Sequence, residues 1–327
     1  MSFDRVTLTG TDLVVSSICL GTGGFGTTVP RDEAFGMLDD FLALGGSFID
    51  TAHNYGDWIP EIPRSASERI IGDWMRDRGV RGEIVLATKG AHWKLDAPQV
   101  PRLSRQDIQD DLDGSLEALQ TDRIDLYWLH RDDPERPVLD ILQTLNDQTD
   151  AGKIRYFGAS NWKPARIAAA QDAAHAEGMR PFSANQLLWN AAPLAGPPYG
   201  DPTTAWMDEE AYAYHRRTGL NVIPYQSQAY GLFQRMWEGT LDQMNPGFRG
   251  FYKAEESAAR YERMCVVMEE TGLSITQVTL AYLTSQPFTT VPIVGCRTRE
   301  QLADCMTALA VRITPAQVRY IEKGERA

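Results

Sequence analysis

Hydrophobic and polar residues follow two alternating patterns along this chain. Eight short apolar runs rich in β-branched residues predict strands at Ile18–Leu20, Phe48–Thr51, Ile84–Thr88, Ile124–Leu129, Ile154–Ala159, Phe182–Asn185, Asn221–Pro224 and Thr290–Val294. Apolar residues at three- and four-residue spacing predict helices at Glu33–Leu44, Ser67–Arg78, Ser104–Leu119, Pro137–Ala151, Pro164–Glu177, Asp208–Thr218, Ser257–Thr271 and Glu300–Ala310. Ser67 with Glu68 is typical of a helix start. Strand and helix therefore alternate throughout the chain.

This alternation predicts an α/β fold. Eight strand–helix units predict a parallel sheet covered by helices, and eight is the number that closes a (β/α)8 barrel, the TIM barrel. No wide linker interrupts the units, so we predict that residues 1–327 form a single domain. Val6–Leu8 and Asp12–Val15 flank a Thr-Gly-Thr turn and predict an N-terminal β-hairpin that plugs one end of the barrel.

Three segments that follow predicted strands are too long for ordinary connections. They are Gly90–Leu103, Ala191–Met207 and Leu232–Glu256. In a (β/α)8 barrel the loops after the strands build the active site at the C-terminal face. We therefore expect these extended loops to form the walls of a substrate pocket.

The charge and hydrophobic composition of the chain limits the classes of molecule that it is expected to bind. The chain has 32 Lys and Arg against 44 Asp and Glu, a formal net charge of −12, which disfavours nucleic acid because its binding needs a basic face. An anionic cofactor would need only a few local cations. Residues 1–5 lack the apolar core of a signal peptide, and no apolar run approaches the roughly 18 residues that span a bilayer. We expect a cytoplasmic protein that does not bind membranes; its oligomeric state stays open.

The four cysteines predict no metal site. Cys19, Cys265, Cys296 and Cys305 form no C-x-x-C pair, and none lies near a histidine at metal-ligand spacing. This pattern favours reduced thiols.

A glycine-rich run follows the first predicted strand. Gly21–Gly26 fits the dinucleotide-binding pattern G-x-G-x-x-G, in which the third glycine opens a helix directly. Here Thr27–Pro30 intervene before the helical pattern begins, and a Rossmann fold would leave the eight repeating units unexplained. The run therefore favours a turn at the mouth of the barrel.

Polar side chains stand where three of the predicted strands end. Asp50, Lys89 and His130 each close a strand, and Tyr55 follows Asp50 by five residues. Taken singly, each of these residue types commonly has a structural role: it forms an ion pair, satisfies its hydrogen bonds within the protein, or packs against the core. Because the carboxyl ends of the strands meet at one mouth, their joint placement predicts a carboxylate, an ammonium, an imidazole and a phenol in one site.

Over nearly its whole length the chain resembles the aldo-keto reductases. The segments that carry the resemblance are Phe48–Gly56, Ala87–Lys89, Ile124–His130 and Gly152–Asn161. The run from His130 to Pro134 is similar to that of a bacterial branch. The resemblance implies the (β/α)8 fold, and it implies that Asp50, Tyr55, Lys89 and His130 form the catalytic tetrad.

The resemblance also implies an activity. Hydride delivered to a carbonyl carbon leaves an alkoxide, which needs a general acid. Tyr55 would be that acid, Lys89 would stabilise its phenolate with Asp50 orienting the ammonium, and His130 would polarise the carbonyl. The implied protein is an NADP(H)-dependent oxidoreductase that acts on an aldehyde, a ketone or the corresponding alcohol.

By the same resemblance a nicotinamide cofactor would lie beside the tetrad. Ser160, Asn161 and Gln186 would hold its carboxamide, and Tyr225 would stack on its ring. Further implied cofactor contacts are Thr22, Gly23, Asp50, Gln226, Ser227, Gln228, Gly295, Arg297 and Gln301. Arg297 supplies the cation that this acidic chain requires and favours NADP(H), with NAD(H) as the alternative.

Two stretches depart from the family pattern. Tyr225 is followed by Gln226–Gln228 rather than by a Ser-Pro-Leu run, and the Glu-Asn pair that binds adenine appears as Asp304-Cys305. The pyrophosphate contacts and the preference for NADP(H) over NAD(H) therefore stay open, as does the role of Arg235 as a phosphate clasp.

Two other functions compete with the oxidoreductase. A cofactor-sensing regulatory subunit would share the fold but would not turn over a substrate. The presence of His130 favours an enzyme over such a subunit. A barrel glycosidase would need paired carboxylates at strand ends, where only Asp50 stands out.

The loops that follow the strands contain many aromatic residues, namely Trp58, His92, Trp93, Trp189, Tyr199, Trp206 and Trp237. They predict a pocket with aromatic walls, for which a sugar or polyol derivative is one candidate ligand. Aromatic loops also serve merely to exclude water, so the physiological substrate and the preferred direction of reaction stay open.

Overall fold

The computed structural model describes residues 5–326, and its core is a barrel of parallel strands. Two antiparallel strands come first, Arg5–Thr7 (β1) and Val14–Ser16 (β2). The parallel strands are Cys19–Gly21 (β3), Phe48–Asp50 (β4), Val85–Gly90 (β5), Ile124–Leu129 (β6), Ile154–Ser160 (β7), Ala184–Gln186 (β8), Asn221–Val222 (β9) and Ile293–Val294 (β10). All eight predicted strands are present.

The barrel closes between its last two strands. The backbone N–H of Val222 donates to Thr289 O at 2.9 Å, and Val222 O accepts from the N–H of Val291 at 2.9 Å. Ile293 N donates to Pro224 O at 2.9 Å, and β10 pairs with β3 on its other side. We call this contact between residues 221–224 and 289–294 the closing seam. The predicted (β/α)8 fold is confirmed.

Twelve helices cover or flank the barrel in the described part of the chain. They are Arg31–Ala43 (α1), Ala66–Arg78 (α2), Arg105–Leu119 (α3), Val138–Asp150 (α4), Pro164–Ala176 (α5), Glu209–Thr218 (α6), Leu232–Glu238 (α7), Pro246–Arg249 (α8), Ala254–Thr271 (α9), Ile275–Thr284 (α10), Arg299–Met306 (α11) and Pro315–Lys323 (α12). None of these described helices is both long enough and apolar enough to cross a bilayer.

The helix that covers the barrel before its last strand is not the predicted one. The predicted helix Ser257–Thr271 lies within α9, which buries only three of its 18 residues and packs on α12. The unpredicted α10 buries eight of its 10 residues and shares a core cluster with Val222 of β9. Its sequence ITQVTLAYLT buries two threonines together with its apolar residues, so it lacks the clear amphipathic period by which helices are predicted.

The N-terminal hairpin plugs the barrel as predicted. β1 and β2 pair with Val6 opposite Val15. Leu8, Leu13 and Val15 are buried in one cluster with the interior barrel residue Phe48 and its neighbours. The hairpin therefore completes the core at one end of the barrel and leaves the other end for the site.

Two of the extended loops lie against each other. Leu194 and Tyr252 form an antiparallel bridge between loop 191–207 and loop 232–256. The second loop contains α7 and α8, which the sequence analysis did not predict. The bridge joins the two loops into one wall.

Candidate active site

An ion pair between Asp50 and Lys89 lies at the centre of the site. β4 ends at Asp50 and β5 carries Lys89, and each residue is only 2% exposed. Lys89 Nζ donates to Asp50 Oδ2, to Thr51 O at 2.7 Å and to Tyr55 Oη at 3.2 Å. These three acceptors hold the ammonium in contact with the phenol.

The second carboxylate oxygen of Asp50 is also engaged. Trp128 Nε1 and Gln186 Nε2 both donate to Asp50 Oδ1, each at 3.0 Å. Burial alone would lower the pKa of Lys89, but the charges of Asp50 and Tyr55 outweigh burial and raise it. Lys89 therefore stays an ammonium at neutral pH.

Tyr55 is held on the loop after β4, beside the glycine-rich run. A Cβ on Gly23 would lie 3.7 Å from the Tyr55 ring, so this glycine borders the phenol. The run follows β3, and α1 begins only at Arg31. It therefore forms a turn at the barrel mouth, as predicted, and not the start of a helix.

His130 completes the predicted tetrad directly after β6. Its ring centroid lies 6.2 Å from that of Tyr55. Burial, with smaller contributions from His92, Arg131 and Lys89, lowers the pKa of His130 well below 6.5. The ring is therefore neutral at pH 7. Its Nδ1 is buried without a hydrogen-bond partner, which leaves Nε2 as the nitrogen that can contact a substrate.

The structure adds two polar side chains that the sequence analysis did not assign to the catalytic machinery. The His92 ring lies 4.7 Å from the His130 ring, and its Nδ1 lies 2.8 Å from Trp93 O. Burial and the charge of Arg131 lower the pKa of His92 to about 4. Arg131 forms an ion pair with Asp201 at 3.3 Å. These contacts arise where two loops that are distant in sequence pack together, so no local sequence pattern predicts them.

The four residues predicted to contact nicotinamide lie together. Tyr225 Oη donates to Asn161 Oδ1 at 2.8 Å, and Asn161 Nδ2 donates to Ser160 Oγ at 3.2 Å. Gln186 reaches the same place through its bond to Asp50. Asn161 has a φ of 61°, in the left-handed region, where asparagine is among the tolerated residues. The ends of β7 and β8 and the segment after β9 thus meet beside the tetrad.

Two of the predicted cofactor contacts already form hydrogen bonds within the protein, Thr22 through its side chain and Gln226 through its backbone carbonyl. Thr22 Oγ1 donates to Asp50 O at 3.0 Å, so it supports the end of β4. Gln226 has a φ of 56°, and its carbonyl accepts from Asn190 Nδ2 at 3.0 Å. A cofactor role for either residue stays a prediction.

The residues that depart from the family pattern lie close together beside the closing seam. Ser227 Oγ donates to Ile293 O at 2.5 Å, and Cys305 Sγ lies 3.4 Å from Gln228 Oε1. Asp304 accepts from Thr276 Oγ1 at 2.6 Å. Residues after β9 and residues of α11 therefore form one continuous surface.

Two arginines beside this surface are unpaired. Arg297 is exposed, and its guanidinium forms no ion pair with any residue between 5 and 326; the same holds for Arg235. Gln301 Oε1 accepts from the Arg297 N–H at 2.8 Å. A Cβ on Gly295 would meet no atom within 4 Å. Two arginines without an ion pair among residues 5–326, one of them close to the open backbone at Gly295, suit an anionic ligand.

Of the aromatic residues predicted to form the pocket walls, two lie exposed at the mouth and one does not. Trp58 is 48% exposed with its ring centroid 6.2 Å from that of Tyr55, and Tyr199 is 43% exposed. Trp189, also predicted to be a wall residue, is buried and stacks on Phe288 at 5.9 Å. The prediction for Trp189 is wrong because its side chain belongs to the core cluster outside the barrel.

Comparisons with known proteins agree with this geometry. The model of the aldo/keto reductase family matches residues 17–326. An uncharacterized oxidoreductase, YrpG, of Bacillus subtilis is 32% identical over 95% of this chain and 92% of its own length. Norsolorinic acid reductase B of Dothistroma septosporum is 30% identical, over 94% and 78%. A candidate aryl-alcohol dehydrogenase, AAD14, of Saccharomyces cerevisiae is 28% identical, over 91% and 78%.

Proposed function

The chain belongs to the aldo/keto reductase family, and on that basis we propose that it is an NADP(H)-dependent oxidoreductase. It reduces an aldehyde or ketone, or oxidises the corresponding alcohol. The observation that carries this proposal is the contact of Lys89 Nζ with Tyr55 Oη at 3.2 Å, beside the neutral His130. The alternative is a regulatory protein that shares the fold without turnover, and consumption of bound NADPH distinguishes the two.

Each tetrad residue has one task in the reaction. When bound, the cofactor supplies a hydride to the carbonyl carbon. His130 donates a hydrogen bond from Nε2 to the carbonyl oxygen, and Tyr55 gives its proton to that oxygen as negative charge develops there. Lys89 stabilises the phenolate that remains, and Asp50 keeps Lys89 charged and in place.

The described residues fit a nicotinamide dinucleotide. Ser160, Asn161 and Gln186 would hold the carboxamide, and Tyr225 would stack on the ring. The unpaired Arg297 would pair with a 2′-phosphate, which favours NADP(H) over NAD(H).

We assign an aromatic aldehyde or ketone as the substrate class. Trp58 and Tyr199 supply exposed rings at the mouth, and offset or edge-on ring contacts favour flat aromatic ligands. A relative whose name refers to aryl alcohols supports this class. Sugars also stack on aromatic rings, so ketoses belong in the test.

NADPH is expected to quench the intrinsic fluorescence of the protein, because Tyr225 and the tryptophans at the mouth would surround the nicotinamide. Titration with NADPH and NADH measures this, followed by consumption of the bound cofactor with aryl aldehydes, aryl ketones, ketoses and cyclic ketones. Absence of any binding signal at millimolar concentration would contradict the oxidoreductase function. Faster turnover of ketoses than of aryl carbonyls would contradict the substrate class alone.

Arg297→Ala is expected to weaken NADPH about 10- to 100-fold and NADH far less, since a charge-assisted hydrogen bond is lost only with the 2′-phosphate. Calorimetric titration of both cofactors measures the two ratios. Arg312→Ala, a substitution outside the predicted cofactor contacts, serves as the control. Equal weakening of NADPH and NADH would remove the 2′-phosphate assignment.

A further inference from the structure

A buried carboxylate lies directly behind the tetrad. Glu68, in the first turn of α2, is 0% exposed. Its Oε1 accepts from Thr88 Oγ1 at 2.5 Å, and its Oε2 lies 3.2 Å from His53 Nδ1. Thr88 immediately precedes Lys89, and His53 stands two residues before Tyr55. One carboxylate therefore connects the two segments that carry the acid and its ammonium.

The strand geometry explains why this connection reaches Lys89. Successive side chains of a strand point to opposite faces, so Lys89 enters the barrel while Thr88 faces α2. The two segments are also joined by the backbone, because His53 N donates to Lys89 O at 2.9 Å. The separation of Lys89 Nζ from Tyr55 Oη, 3.2 Å, thus depends on how firmly Glu68 holds both segments.

The Glu68 side chain is fully buried, and the His53 side chain beside it is only 16% exposed. A buried carboxylate is costly unless it is paired and hydrogen-bonded. Burial alone would lower the pKa of His53, but Glu68, aided by Asp111 of α3, outweighs both burial and the opposing charge of Arg64 and raises it. Ser65 Oγ lies 3.2 Å from His53 Nδ1, so several polar groups hold the imidazole in one orientation.

We propose that Glu68 and His53 are positioning residues that hold Lys89 and Tyr55 at the distance needed for proton donation. They touch neither substrate nor cofactor. The inference rests on the proposed function, because this distance affects a rate only if Tyr55 donates a proton in the reaction.

Glu68→Gln and Thr88→Val test the pair with little change of shape. Each is expected to lower the single-turnover rate of carbonyl reduction by roughly 10- to 100-fold, as expected when reacting groups shift by about 1 Å. NADPH affinity should stay within about twofold of the wild type, since the cofactor does not contact the pair.

Thr144→Val provides a matched control. Thr144 is 3% exposed on α4 and donates to Asp140 O at 2.9 Å, so its variant also loses a buried hydroxyl bond but away from the site. We expect its rate and its NADPH affinity to equal those of the wild type. Thermal unfolding of all variants shows whether each is folded during the assay.

A crystal structure of the Glu68→Gln variant gives a readout that needs no substrate. We expect the distance from Lys89 Nζ to Tyr55 Oη to exceed the limit of a hydrogen bond, about 3.5 Å. If the wild type reduces no carbonyl, the proposed function fails, and this distance still tests the positioning. An unchanged distance, a wild-type rate, or a rate loss with an equal loss of NADPH affinity would each show that the pair is merely structural.

Discussion

Tyr55→Phe is expected to lower the single-turnover rate of carbonyl reduction by about 10²- to 10⁴-fold, the usual contribution of a general acid. NADPH affinity should change little, because the ring continues to pack beside Gly23 and the phenol donates only as the alkoxide forms. Rapid-mixing measurement of hydride transfer, with cofactor bound in advance, separates the two effects. If Tyr55→Phe keeps most of the rate, Tyr55 is not the acid.

Lys89→Met should be about as severe as Tyr55→Phe, since the ammonium and the phenol share one proton-transfer task. The double variant should then be scarcely slower than either single variant, as expected of groups that act as a unit. If the two losses multiply, the residues act independently and the shared role of Lys89 is contradicted.

Asp50→Asn is expected to lower the free energy of unfolding by about 3–5 kcal/mol, the usual cost of leaving a buried charge unpaired. Lys89 would then lie in the core without its counter-charge, and burial would lower its pKa against the contribution of Tyr55 alone. In the wild type Lys89 has a raised pKa in the folded state. The stability it contributes is therefore present below about pH 10.5 and is lost as the pH rises through the folded value.

Urea unfolding near neutral pH measures the loss in Asp50→Asn. Asp147→Asn is the matched control, because its ion pair with Arg105 is about half exposed and such pairs contribute about 0–1 kcal/mol. Equal stability of the Asp50→Asn variant and this control would show that the ion pair at the centre of the site does not carry the expected energy.

The strands and the tetrad could be predicted because both depend on local pattern. Buried parallel strands are continuous apolar runs, and the residue that closes such a run faces the barrel mouth. That rule placed Asp50, Lys89 and His130 correctly. α10 was not predicted because eight of its 10 residues are buried, Thr276 and Thr279 among them, so no broad polar face marks an amphipathic period.

Contacts between distant segments could not be predicted. Ser67 and Glu68 look like a helix start in the sequence, yet α2 begins at Ala66 and neither residue caps it. Ser67 Oγ donates to Thr22 O at 2.9 Å, and Glu68 joins Thr88 to His53. Their roles come from four segments that only the folded barrel brings together.

The closing seam has a thermodynamic consequence. β9 and β10 have two residues each and form no continuous ladder: a single bridge, Val222 to Thr290, and the three backbone hydrogen bonds described above join their segments. The predicted cofactor contacts lie on both of its sides, Tyr225–Gln228 on one and Gly295–Gln301 on the other. A dinucleotide that bridges these segments would link the two sides of the seam. At 100 times its Kd it would add about 2.7 kcal/mol to the free energy of unfolding by mass action.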